Sequence, residues 1–338
     1  MANSAIDIHT HVVPAGFPAY AGRHANAPWP QMAPGHDCHH CNVMIAGKVF
    51  RTVNDECWSI ERRLEAMDAS RVARQVLSPM PELLSYWLDP EDALALGRHI
   101  NDSIADMVAA GGGRFAGLGT VPLQDPEMAV RELERLMGSG RFRGVEIGTN
   151  VNGVSIGDAR FETFFGKAEE LGAAIFVHAL HPAGTDRLIG PAGLAALVAF
   201  PCETAFAIAS LMTSGILTRH PKLRIAFSHG GGVFGLVLPR LVHGWKTMPA
   251  LGELIGQSPA DQARKLFYDT LVYDTATLAF LIERFGVTQL CIGTDRPFLI
   301  QEDDPVGAVE ALGLEAADRD LLLSANAARF LGEAPQKA

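Results

Sequence analysis

Cysteine is scarce in this sequence: Cys38, Cys41, Cys57, Cys202 and Cys291 are the five in 338 residues. An odd number spread over a long chain argues against a disulfide framework. Positive charge is also short. Lys and Arg total 28 against 38 Asp and Glu, a formal net charge of -10, which argues against a general binder of nucleic acid or anionic membranes. An anionic substrate would need arginines placed at the site itself. Residues 1–7 hold neither a basic segment nor an apolar one, so no secretory signal is expected. The most apolar stretch, residues 188–217, is broken by Pro191, Pro201 and Glu203. A membrane span wants ~20 apolar residues without a charge, so this stretch is expected to be buried helix and loop in a soluble, cytoplasmic protein. No Gly-x-Gly-x-x-Gly follows an early strand candidate, which removes the dinucleotide-binding fingerprint.

What is present is a globular composition, 48% hydrophobic and 20% charged, too apolar for a disordered chain. Eight short apolar runs recur: Ile6–His9, Arg74–Ser78, Phe115–Thr120, Val145–Thr149, Ile175–His178, Ile225–His229, Leu266–Asp269 and Leu290–Asp295. Segments with helical periodicity lie between them, at Pro90–Ala110, Pro126–Gly138, Ala159–Leu171, Glu203–Thr218 and Thr275–Phe285. Strands alternating with helices predict an α/β fold, a distorted (β/α)8 TIM barrel. Such barrels take about 250 residues. The surplus sits at roughly 14–57, an insertion after strand 1 near the barrel mouth, with a hairpin around Ala46-Gly47. Residues 1–332 are read as one barrel domain and 333–338 as a frayed tail.

Candidate metal ligands and an accompanying histidine close four of these runs. His9 and His11 close the first, His178 the fifth, His229 the sixth and Asp295 the eighth. Side chains at i and i+2 share a strand face, so both early histidines can point into the mouth. Barrel active sites form at the carboxyl ends of strands. Each piece alone is ordinary, since a lone histidine is usually a satisfied structural residue and Gly-Thr-Asp is often a helix cap. Jointly they suit one divalent cation, zinc first and Mn, Co or Fe as alternatives. His9, His11, His178 and Asp295 are the expected ligands. A cation so held lowers the pKa of a bound water toward ~7, and His229 is expected to move protons. Glu146 raises the question of a bridging ligand, but no lysine ends the fourth strand, and one metal is expected.

The motifs Ile-Asp-Ile-His-Thr-His at 6–11, Phe-Val-His at 176–178, His-Gly-Gly-Gly at 229–232 and Gly-Thr-Asp-Arg-Pro-Phe at 293–298 resemble those of the amidohydrolase superfamily. Gly-Lys-Val-Phe-Arg at 47–51 and Gly-Leu-Gly-Thr-Val-Pro-Leu-Gln at 117–124 are similar to its non-oxidative decarboxylase branch, typified by α-amino-β-carboxymuconate-ε-semialdehyde decarboxylase. The resemblance implies a carboxy-lyase that uses a metal-bound water and a catalytic histidine, and no organic cofactor, on a small unsaturated or aromatic acid, as in aromatic degradation. It places the metal ligands on His9, His11, His178 and Asp295, and catalysis on His229 with Asp295. It puts substrate-carboxylate arginines on Arg51 and, from the neighbouring subunit of a homodimer, on Arg240. The rival activity is hydrolysis or hydration of a lactone, amide or enol acid. The rival without activity is a metal-binding structural protein.

The pocket lining departs from the family's pattern at Leu180, Ala196, Asn150, Tyr273 and Arg296, which puts the substrate in question and leaves the chemistry class. Arg296 reads as a salt-bridged structural residue or a third anion contact. Trp58, Trp87 and Phe298 are further pocket candidates, although aromatics near barrel loops are more often core. His36, Cys38, His39, His40 and Cys41 lack the second Cys-x-x-Cys of a structural zinc site, so the cluster is expected to be a flap or a polar loop.

Overall fold

All eight apolar runs form strands, because each is buried on both faces, as a parallel sheet covered by helices requires. The computed structural model describes residues 5–191 and 193–333. We label the barrel strands β1 (Ala5–Val12), β2 (Val72–Pro79), β3 (Phe115–Gly119), β4 (Phe142–Gly148), β5 (Ala174–His178), β6 (Arg224–Phe227), β7 (Phe267–Asp269) and β8 (Leu290–Cys291). They pair in chain order in one parallel sheet. The ring closes where the Ile8 amide donates to the Ile292 carbonyl (2.9 Å) and the His11 amide to the Arg296 carbonyl (2.8 Å). This is the expected TIM-barrel architecture.

The barrel interior is filled by Ile6, Ile8, Val76, Leu118, Phe176, Ala226, Phe267 and Cys291. Phe330 and Leu331 of the helix Asn326–Leu331 join the same cluster. They pack near the first residues of the strands and so plug the end away from the strand termini.

Helix boundaries follow local chemistry. Pro90–Ala110 and Pro126–Gly138 open with Pro in the first turn, where its missing N–H costs nothing. The Asp125 and Asp274 carboxylates accept from the Met128 and Thr277 amides, which satisfies exposed donors. One helix shifts from its expected bounds. It runs Phe200–Thr213, after a π-helical turn at Ala195–Ala199, and stops before Gly215 at φ 78, a left-handed terminator. This stretch is also less buried than its composition suggests. Ala195–Thr213 is long and apolar enough to cross a membrane, and 44% of its apolar window is buried. Leu197 and Phe206 face outward, 60% and 61% exposed.

Within the 14–57 segment, Gln31–Pro34, His40–Ile45 and Lys48–Asn54 form a three-stranded antiparallel sheet. Its hairpin turns at Ala46-Gly47, φ 50 and 73, the conformation that two-residue hairpins favour. Glu333, assigned by sequence to the tail, is tied down: Arg74 and Arg143 donate to its carboxylate at 2.5 and 2.8 Å. Residues 334–338 lie outside the described residues.

On the outer layer, the Glu162 carboxylate accepts from Arg219 Nε at 2.8 Å and sits 2.7 Å from His220 Nε2. The Arg219 hydrogen bonds hold its carboxyl down at about 2. A carboxyl depressed on folding stabilises the fold above its unfolded pKa, and that contribution fades as pH falls through the folded value. About a third of the side chain meets solvent, so screening trims the effect to ~1 kcal/mol. Glu162→Gln is expected to cost that much at neutral pH and progressively less between pH 4.5 and 2, read by urea unfolding across that range.

Candidate metal centre and substrate pocket

Strict alternation along β1 would turn His9 and His11 away from the interior that Ile6 and Ile8 occupy. A register irregularity between Asp7 and Thr10 resets the alternation, as bulges do beside active sites. Ile8 and His9 then both face inward, and His11 follows.

Each of three imidazoles is anchored through Nδ1. His11 donates to the Pro79 carbonyl and His178 to the Ala179 carbonyl, both at 2.9 Å, while His9 donates to Asp269 Oδ2 at 2.6 Å. A carbonyl only accepts, so the Nδ1 of His11 and His178 carries the hydrogen and Nε2 keeps a free lone pair. The Nε2 atoms of His9 and His11 lie 3.1 Å apart, and Asp295 Oδ1 is 2.9 Å from that of His11. His178 Nε2 and Asp295 Oδ1 are buried without hydrogen-bond partners. Donor atoms of His9, His178, His229 and Asp295 all lie within 4.8 Å of one another. A cation bound ~2.1 Å from nitrogen and oxygen donors needs neighbouring donors ~3–4 Å apart, and His9 Nε2, His11 Nε2 and Asp295 Oδ1, 2.9 to 3.4 Å from one another, meet that spacing. Burial pushes His178 well below its ordinary value and His11 down to about 4, so both are neutral, as ligands must be. Burial also pulls on His9, but the Asp269 carboxylate on its Nδ1 and Asp295 beside its Nε2 outweigh it and lift it to about 10, so a cation held at Nε2 would displace that proton. Burial opposes ionisation of Asp295, yet the His11 and His9 rings beside its carboxylate hold it well below the usual carboxylate range.

His229 sits on the turn after β6 with φ 54, and Asp295 has φ 58. Such conformations cost ~1–3 kcal/mol and persist where surroundings enforce them. At His229 the enforcer is Asp269, which accepts from the His229 amide at 2.9 Å and the Gly230 amide at 2.8 Å. The His229 ring lies 5.0 Å from that of His178, centroid to centroid, and its buried Nδ1 has no hydrogen-bond partner. Burial lowers its pKa. Glu146 faces inward but stays 3.8 Å from His11 Nδ1 and outside the converging donors. Burial lifts its carboxyl to about 8.

Beside the centre, the Phe298 ring stacks on His11 at 4.9 Å, and the Arg51 guanidinium lies 4.3 Å above Phe298. The hairpin thus brings Arg51 over the mouth, where its Nη2 is 3.8 Å from the buried Glu82 carboxylate. Leu180 is buried near His178, and its carbonyl accepts from Asn150 Nδ2 at 2.7 Å. Arg296 is buried and paired with Glu56 at 3.4 Å, the structural one of its two readings. Two expected pocket aromatics lie elsewhere. Trp58 lines a separate cavity of about 330 Å3 with Val12 and Met107. Trp87 stacks on His181 at 4.8 Å and borders a cavity with Arg23 and His24. Arg240 is exposed on the helix Phe234–Thr247 and makes no ion pair among the described residues. Within one chain it is not brought to the centre.

Sequence reasoning missed Asp269. Its signal was available, since it ends the seventh apolar run at the same rim position as the other site residues.

The amidohydrolase family model matches residues 6–332. The chain is 35% identical to a 2-amino-3-carboxymuconate-6-semialdehyde decarboxylase from Dictyostelium discoideum, over 98% of this chain and 92% of that protein. A dihydroxybenzoic acid decarboxylase from Polaromonas sp. JS666, solved with bound manganese and 2-nitroresorcinol, aligns at TM-score 0.73 and 26% identity over 80% of this chain and 85% of that one. The Metarhizium anisopliae IDCase in apo form shares the fold, with TM-score 0.83 and 22% identity over 98% of each chain. The chain belongs to the amidohydrolase superfamily, as one of its metal-dependent carbon–carbon lyases, the carboxy-lyases.

Proposed function

We propose that this protein removes CO2 non-oxidatively from a small unsaturated or aromatic carboxylic acid of the aminocarboxymuconate-semialdehyde or hydroxybenzoate class. The observation that carries the reading is the convergence of three anchored imidazoles and Asp295 beside His229, under the Arg51–Phe298 stack. His9, His11, His178 and Asp295 would hold the cation, for which zinc is our first choice on the nitrogen-rich donor set. When bound, the cation supplies Lewis-acid polarisation. Arg51 binds a substrate carboxylate through paired hydrogen bonds, and Phe298, sandwiched between His11 and Arg51, holds that guanidinium over the centre. The bond to the departing carboxyl breaks, its electron pair stays on carbon, and His229 delivers the proton that replaces CO2.

Arg240 opens onto a groove of about 550 Å3 with Val237, Leu241, Met248 and Leu251. Beside it Leu236 is 71% exposed. Such an apolar face suits a second copy of the chain, and in this reading the partner's arginine completes the substrate site of a cytoplasmic homodimer. Residues 1–332 act as one barrel unit carrying the 14–57 insertion at its mouth.

The test is CO2 release by metal-loaded protein across muconate semialdehydes and hydroxybenzoates. One CO2 per substrate consumed supports the reading, and ring opening without carbon loss defeats it. Arg51→Ala is expected to lower kcat/KM ~10–100-fold, the loss of a charge-assisted hydrogen bond worth ~1.5–3 kcal/mol. Arg51→Lys should recover little of it, since the planar fork is gone. Unchanged steady-state constants would remove Arg51 from the site.

A further inference from the structure

The 14–57 segment carries a second concentration of metal-competent side chains that the barrel centre does not use. Ligand atoms of His36, Asp37 and His40 lie within 4.8 Å of one another. The two rings sit 4.2 Å apart, centroid to centroid, and Asp37 bridges them. Its Oδ1 is 2.8 Å from His40 Nδ1, and its Oδ2 is 3.4 Å from His36 Nε2. This is a built turn. The Gly35 amide donates to the His40 carbonyl at 3.0 Å and closes the loop at its ends. A Cβ at Gly35 would meet that carbonyl oxygen at 2.3 Å, so the close approach requires glycine. The closed turn holds the two histidines, four positions apart, beside one carboxylate.

We propose that His36, Asp37 and His40 form a second, exchangeable site for a divalent transition cation at the outer end of the hairpin. Two imidazoles and one carboxylate suit Zn2+, Ni2+, Co2+ or Cu2+ and disfavour Mg2+ and Ca2+, which prefer all-oxygen cages. Three protein donors at an exposed position leave the remaining coordination to water, so the cation exchanges freely. Cys38 and Cys41 do not belong to the set, although their spacing in sequence invites a thiolate reading. His39 faces elsewhere, 2.8 Å from Asp55. The site staples the turn to the strand His40–Ile45, in which Val43 lies opposite Arg51.

The test compares total Zn2+ uptake per chain, by calorimetry and metal analysis, with Mg2+ as the control cation. Wild-type protein is expected to take one equivalent more than His36→Ala/His40→Ala. Cys38→Ser/Cys41→Ser and His39→Ala are expected to keep the extra equivalent, and Mg2+ should not fill it. Equal uptake by the wild type and the double-histidine variant overturns the proposal, and so does loss of the equivalent in the cysteine variant. Should the double variant fold poorly, His36→Ala alone changes a side chain that is 66% exposed. It is expected to weaken the extra equivalent at least ~10-fold, and an undiminished affinity overturns the site equally.

Discussion

Protein carrying His229→Ala is expected to keep its full complement of divalent cation while kcat falls ~10^2–10^4-fold, the usual worth of a positioned proton-transfer group. His178→Ala is expected to do the reverse in order of cause: the cation goes first and turnover goes with it. The two histidines are adjacent, with ring centroids 5.0 Å apart, yet they are held differently. His178 is fixed by its Nδ1 hydrogen bond to the Ala179 carbonyl and aims an unpartnered Nε2 at the other donors. Removing it deletes a ligand, a loss larger than the ~10–100-fold typical of outer-shell partners. His229 is fixed through its backbone, by the amide bond to Asp269. Truncating its ring therefore leaves the turn intact and the four remaining donors in place. Metal analysis after dialysis, paired with turnover at saturating metal, separates the two roles. A His229→Ala protein that loses its cation would make His229 a ligand, and one with unchanged turnover would end its role in proton transfer.

The barrel was legible because its signals are local. Strands buried on both faces read as unbroken apolar runs, and Asp-Pro pairs before Pro90 and Pro126 mark helix starts that the structure keeps to the residue. The convergence of His9, His11, His178, His229 and Asp295 was legible for a topological reason: in a parallel barrel every strand delivers its last residues to the same rim. Spacing says nothing about register, however. The i, i+2 argument reached the right face for His9 and His11, but only because the irregularity after Asp7 resets an alternation that Ile6 and Ile8 had set outward for His9. Trp58 and Trp87 border other cavities of the chain for a related reason. They lie on connections, whose direction depends on packing between segments far apart in sequence. The partly exposed helix Phe200–Thr213 shows the same limit. Composition marks Phe206 as apolar, but burial depends on what covers it.

Asp269→Asn is expected to weaken cation binding ~10–100-fold, with turnover falling in parallel when metal is limiting. One carboxylate here serves two jobs. Its Oδ2 takes the His9 Nδ1 hydrogen at 2.6 Å and the His229 amide at 2.9 Å, and its Oδ1 takes the amides of Gly230 (2.8 Å) and Leu271 (3.1 Å). An ionised carboxylate can accept at all four positions, whereas an amide presents one accepting oxygen and one donating nitrogen. Asparagine must therefore turn its NH2 toward either the His9 side or the Gly230 side. Turned toward His9, it forces the hydrogen from Nδ1 to Nε2, blocks the lone pair aimed at the cation, and also meets the His229 amide donor to donor. Turned toward Gly230, it sets donor against donor and loosens the turn that keeps His229 at φ 54. The first outcome lowers metal affinity most and, through the lost His229 amide bond, costs some kcat even once metal is saturating. The second lowers kcat even then. A purely structural Asp269 would instead lower the thermal midpoint and leave the metal dissociation constant and saturated kcat where they were, and that result would remove it from the centre's positioning machinery.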